Sequence, residues 1–164
     1  MTVRKIEIER FSVTSSRPFA AVVAAIKASV GQPDMVEFAR AIRSEGSFAE
    51  MERAVRAGLG KTGLMLFMEL DHGAILCKES GRDTPKLVRL LIGNPLIMKE
   101  MAKQVPDAGS YAPITILVDE RPEGVRLSYD RMASLLAPYG NADALAVARD
   151  LDSKVENLLR ESAV

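Results

Sequence analysis

Two short runs of period-two hydropathy face each other across a single turn, and they constrain the fold of this 164-residue chain more than any other feature. Ile114, Ile116 and Val118 alternate along one run, and Val125, Leu127 and Tyr129 along the next. Arg121-Pro122-Glu123-Gly124 between them has type I turn chemistry. An antiparallel hairpin with one apolar face must bury that face against another layer. The rest of the sequence supplies the layer.

Val3 to Ser15 places Ile6, Ile8, Phe11 and Val13 close to period two, which predicts a strand. Phe19 to Val30, after Pro18, reads as a helix ended by Gly31, and Asp34 to Ser44 as a second helix ended by Gly46. Ser47 with Glu50 makes a capping-box pattern for a third, in which Met51, Ala54, Val55 and Leu59 share a face. Leu64 to Leu70 is a buried-strand pattern that Ala74 to Cys77 extends. A turn over 80–85 leads into a strand over Lys86 to Ile92. Asn94 and Pro95 then open a helix over Leu96 to Val105, and a loop over 106–111 precedes the hairpin. Arg131 to Pro138 reads as a short helix and Ala142 to Glu161 as a long one, with Leu145, Ala148, Leu151, Val155 and Leu158 at three- and four-residue steps. The expected fold is α+β in two layers, helices packed on one face of a mixed, largely antiparallel sheet, with 1–164 as one domain.

Charge and composition narrow the function classes. With 22 basic and 22 acidic side chains the formal net charge is zero, so no broad cationic surface for nucleic acid or anionic membrane is expected. Phe19 to Ile26 is the longest unbroken apolar run, far below the roughly 18 residues that span a bilayer, and Met1 to Arg10 lacks a signal-peptide core. Cys77 is the single cysteine, which excludes an intrachain disulfide and suits a cytoplasmic location.

The only histidine, His72, follows Asp71 at the end of a strand pattern. An imidazole near its unperturbed pKa of about 6.5 can act as general acid or base, oriented by a carboxylate; equally, it can close the strand end by bonding a backbone carbonyl. His72 and Cys77 with carboxylates alone make a poor zinc set, so neither metal nor cofactor is expected. Gly93-Asn94-Pro95 joins strand to helix, where free N–H groups can meet an anion, or where Asn94 can cap them itself. Ser128, Tyr129, Asp130 and Arg131, with Tyr111, bring hydroxyls and charges to one hairpin end, unless Tyr129 covers the core edge and the charges cap the next helix. Met65, Met68, Met98 and Met101 can line an adaptable apolar pocket or fill the core.

Leu70-Asp71-His72, then Leu90 through Leu96, then Ala112-Pro113 leading into Ile114 to Val118, and finally Gly124-Val125 with Leu127-Ser128-Tyr129 occur in an order that resembles the bacterial and archaeal family called domain of unknown function 302. The resemblance implies a small α+β fold with helix packed on sheet, homodimers, and a shared cleft to which Asp71, His72, Gly93, Asn94, Pro95 and Pro113 belong. It names no reaction. The family pattern has one helix between its first strand and the Asp-His segment, so helical sequence over about 32–61 stands out as an insertion. The leading expectation is a domain that binds or senses a small polar or anionic ligand near His72 and the Gly93-Pro95 helix start, with Pro113 and Tyr129 beside it. The alternatives are an enzyme using His72 and Asp71, and a non-catalytic homodimeric module.

Overall fold

Alternation of more and less buried side chains marks most of the five strands, though not the one over 65–71, in this computed structural model, which describes Met1 and residues 3–44, 46–83 and 85–164. The strands are β1 (Arg10–Ser15), β2 (Met65–Asp71), β3 (Leu87–Gly93), β4 (Ile114–Arg121) and β5 (Gly124–Asp130). Their order is β1-β5-β4-β3-β2 and every neighbouring pair is antiparallel. The expectation of a mixed sheet is thereby corrected: among the described residues the parallel pairing is an isolated bridge, Gly31 to Met65. The hairpin forms as the pattern requires. Arg121 pairs with Gly124, so Pro122 and Glu123 alone make the turn. Gly124 takes a φ of +132°, where a Cβ would stand 2.5 Å from the Ser15 carbonyl oxygen, so only glycine fits.

Register aligns the apolar rows. Phe11, Tyr129, Ile116 and Leu90 are cross-strand neighbours, as are Val13, Leu127, Val118 and Val88. This face is covered by α1 (Phe19–Ser29), α5 (Pro95–Gln104) and α7 (Ala142–Ala163). Val22 and Ile26 of α1, Met101 of α5, and Leu151, Val155, Leu158 and Leu159 of α7 are buried there. Each such side chain contributes on the order of 1.5–3 kcal/mol.

Two shorter helices, α2 (Met35–Arg43) and α3 (Phe48–Ala57), make a second, smaller core beside β2. Asp34 caps α2 by accepting from the Val36 and Glu37 amides, and the Ser47–Glu50 capping box closes the start of α3. Phe38, Val55 and Met65 are buried together, with Phe67 and Leu96 packed against them. Gly31 and Gly60 allow the chain to cross here, since a Cβ on Gly31 would lie 1.8 Å from the Gly58 carbonyl oxygen.

Three local expectations need correction. β1 starts at Arg10 rather than Val3, because its partner β5 ends at Asp130 and offers no ladder to earlier residues. The segment expected to extend β2 is instead α4 (Gly73–Ser80). At its start Asp71 Oδ1, one residue before the His72 N-cap, accepts from the Ala74 amide and satisfies one first-turn donor, which favours helix over strand. The short helix α6 (Met132–Leu136) is followed by a 3₁₀ turn at Ala137–Tyr139, and Pro106–Ser110 is also 3₁₀. Thr84, inside the expected 80–85 turn, lies outside the described residues. No helix among the described residues is long and apolar enough to cross a membrane.

Candidate ligand pocket

The Gly93-Asn94-Pro95 junction is closed to anions by its own hydrogen bonds. Asn94 Oδ1 accepts from the Leu96 amide at 2.8 Å, and its carbonyl accepts from Ile97 and Met98. Pro95 has no N–H. Every first-turn donor of α5 is thus absent or occupied, and the Asn94 amide nitrogen is itself committed to the Gly63 carbonyl at 2.9 Å. Of the two roles the sequence offered for this junction, the N–H groups take the capped one, and they are not free for an anion.

What the junction does form is one rim of an apolar cleft. Gly93, Asn94, Pro95 and Pro113 come together there with Phe67 of β2, Met98 and Met101 of α5, and Leu151 of α7, around a volume of about 140 Å³. Gly93 keeps the cleft open: a Cβ there would touch Pro113 Cβ at 3.5 Å and the Phe67 ring at 3.6 Å. Of the four methionines singled out in the sequence, Met98 and Met101 line the cleft, whereas Met65 belongs to the smaller core and Met68 is half exposed.

His72 and Asp71 do not reach it. Asp71 pairs with Val88 at one end of the β2–β3 ladder and Gly93 pairs with Met65 at the other. Seven strand residues separate them by about 20 Å. The expectation of one site holding His72 and the Gly93-Pro95 turn is therefore corrected; Asp71 Oδ1, for its part, accepts from the Ala74 amide at the start of α4.

The hydroxyl of Tyr129 is also withdrawn from solvent. The residue is 1% exposed and its hydroxyl donates to Asp152 Oδ1 at 2.6 Å. Burial, then the neighbouring Asp152 charge, pushes its phenol well above the ordinary range. Asp152 accepts further from the Met132 and Ala133 amides, so a carboxylate from α7 caps α6 in place of the expected Asp130-Arg131. Burial raises the Asp152 carboxyl above its usual value against the opposing pull of these bonds. Asp130 pairs with Arg10, Arg131 bridges Glu9 and Glu156, and Tyr111 shares a hydrogen bond with Tyr139.

Comparison with known proteins places the fold. The family model described as "Domain of unknown function DUF302" matches residues 40–162. The chain belongs to this family. A solved DUF302 structure, an uncharacterized conserved protein from Bacillus stearothermophilus, superposes with a TM-score of 0.64 at 12% identity, covering 93% of this chain and 97% of that one. That likeness concerns the fold. No curated protein matches.

All the cleft-lining residues of this DUF302 chain, from Phe67 to Leu151, lie inside the family match, whereas β1 and α1 precede it. Sequence reasoning passed over Phe67 and Leu151 as lining. Leu151 carried a signal, its place in the apolar stripe of α7; Phe67 sat in a run apolar on both faces and carried none.

Proposed function

We propose that this DUF302 domain binds a small, uncharged, predominantly apolar molecule in the cleft between α5 and the adjoining ends of β3 and β4. The observation that carries this reading is the pairing of an apolar lining with saturated backbone donors. Such a cleft gains by removing apolar surface from water and offers a charged group nothing in return. The test is a titration of ¹⁵N-labelled protein with cyclohexanol and, separately, with inorganic phosphate. Cyclohexanol is expected to give saturable shifts at residues lining the cleft, and phosphate none at the Leu96 to Met98 amides. Gly93→Val, which adds two methyls beyond a Cβ already in contact with Pro113 and Phe67, is expected to abolish the cyclohexanol response with the fold retained. Saturable binding of phosphate there, or no response to cyclohexanol, would refute the reading.

A second reading, self-association, rests on the other face of the sheet. Leu70, Leu91 and Leu117 are half buried there and Met68 is half exposed, on the face opposite α1, α5 and α7. Arg10, Arg89 and Arg126 interleave on it with Asp119 and Asp130. A two-fold related copy would cover the leucines, with Arg10–Asp130 already paired within each chain. Sedimentation equilibrium is expected to give a dimer that Leu117→Lys dissociates; a wild-type monomer across working concentrations would exclude it.

A further inference from the structure

The lining of the α5 cleft is chemically more particular than an aliphatic cavity. Phe67 contributes an aromatic ring, Met98 a partly exposed thioether side chain, and Pro95 and Pro113 rigid rings, while Met101 lines the cleft as a fully buried residue. Thioether sulfur is polarizable and attracts an aromatic ring at about 5 Å, often at the ring edge. Phe67 is already held, with its ring 6.3 Å from that of Phe38 at an interplanar angle of 80°. A guest ring can therefore pack against it without first ordering it. The size agrees as well: the cleft offers about 140 Å³. Apolar cavities of roughly 150 Å³ accept benzene.

We infer that the cleft selects a single aromatic ring over a saturated ring of the same size. This rests on the apolar-ligand reading above and adds the chemical class of the ligand. Both kinds of ring lose similar apolar surface to the cleft, so burial alone does not discriminate them. The discrimination comes from sulfur–aromatic and ring–ring contacts, which a saturated guest cannot make. Each sulfur contact corresponds to roughly a two- to tenfold gain in affinity.

The experiment uses the full chain carrying [methyl-¹³C]methionine, with the Met98 and Met101 signals assigned from Met98→Leu and Met101→Leu. Benzyl alcohol and cyclohexylmethanol, matched in shape and both neutral, are titrated in turn. The expected result is saturable movement of the two methyl signals by both compounds, with ring-current displacement and at least roughly twofold tighter binding for benzyl alcohol. Met98→Leu, which keeps the bulk and removes the sulfur, is expected to reduce that preference. Equal affinities, or tighter cyclohexylmethanol, would overturn the aromatic selectivity and leave the apolar cleft standing. Saturation by neither compound would overturn the cleft itself. A preference unchanged in Met98→Leu would overturn the Met98 thioether as a source of it.

Discussion

The hydroxyl of Tyr129 donates to Asp152 Oδ1 at 2.6 Å, joining the last strand of the sheet to the middle of the C-terminal helix. The same carboxylate accepts from the backbone amides of Met132 and Ala133, so three groups from two elements converge on one buried side chain. Buried polar groups are stable only when paired, and here each supplies the partner the others need. The arrangement fixes where α6 begins and how α7 sits on the sheet.

Removing the two partners should therefore have unequal effects. Tyr129→Phe leaves Asp152 its two backbone donors and is expected to cost about 2 kcal/mol. Asp152→Ala strands a phenol and two amides and is expected to cost about 3–5 kcal/mol. Urea denaturation of both variants measures the difference; equal losses would contradict this account of the network.

Asp152 also gives a definite sign to the pH dependence. Its folded carboxyl is raised above the ordinary value of 3.8, chiefly by burial, so the folded state holds the proton more tightly than the unfolded chain does. The contribution of this group to stability is full below 3.8 and is lost as pH rises through the higher folded value. Asp152→Asn removes the titration, so its stability deficit relative to wild type is expected to shrink as pH rises across that window. Thermal unfolding at closely spaced pH values checks it, and a deficit that grows would show the opposite shift.

Two glycines of the same type should respond in opposite ways to alanine. At Gly31 the new Cβ would fall 1.8 Å from the Gly58 carbonyl oxygen, and the backbone must separate. Gly31→Ala is expected to lose more than about 3 kcal/mol. At Gly93 the nearest atom would be 3.5 Å away, an ordinary contact, and Gly93→Ala is expected to stay within about 1 kcal/mol of wild type, on the stabilising side. Chemical denaturation of the pair measures the contrast.

Asp71 and His72 separate along the same lines. Asp71→Ala removes the acceptor for the Ala74 amide and is expected to cost about 1 kcal/mol. The hydrogen bonds of the described residues do not involve the imidazole of His72. His72→Ala is accordingly expected to change stability by less than about 0.5 kcal/mol and to leave cyclohexanol binding unaltered. A lost ligand response in His72→Ala would return that residue to the site.

Features written in local chemistry were legible in the sequence. The hairpin around Pro122 and Glu123, the capping box of Ser47 and Glu50, and the Asn94-Pro95 helix start are each decided by neighbouring residues. The α4 segment was not, because Ala-Ile-Leu-Cys suits a strand as readily as a helix; the hydrogen bond from the Ala74 amide to Asp71, two residues before the segment, is what the run itself does not show. Asp152 is the instructive omission. It stands four residues after Ala148 on the apolar stripe of α7, and a carboxylate in that row is the one sign that it faces inward. What it meets there, Tyr129 and the start of α6, is tertiary and has no local signature. The cleft was half legible for the same reason: Gly93 to Pro95 announce a junction, but Phe67 comes to it only through the sheet.

The two hydrophobic clusters carry a last consequence, for how the molecule opens. The smaller one, around Phe38, Val55 and Met65, joins the body of the protein through few side chains, so α2 and α3 form a cooperative unit that can detach at lower free energy than the sheet. Amide hydrogens of α2 and α3 should then exchange with solvent while those of β4 and β5 stay protected. Phe67 belongs to both places: it packs on that small cluster and it walls the cleft. Fraying of the helical pair is therefore expected to loosen the wall as well, and a substitution that speeds the first to weaken binding at the second.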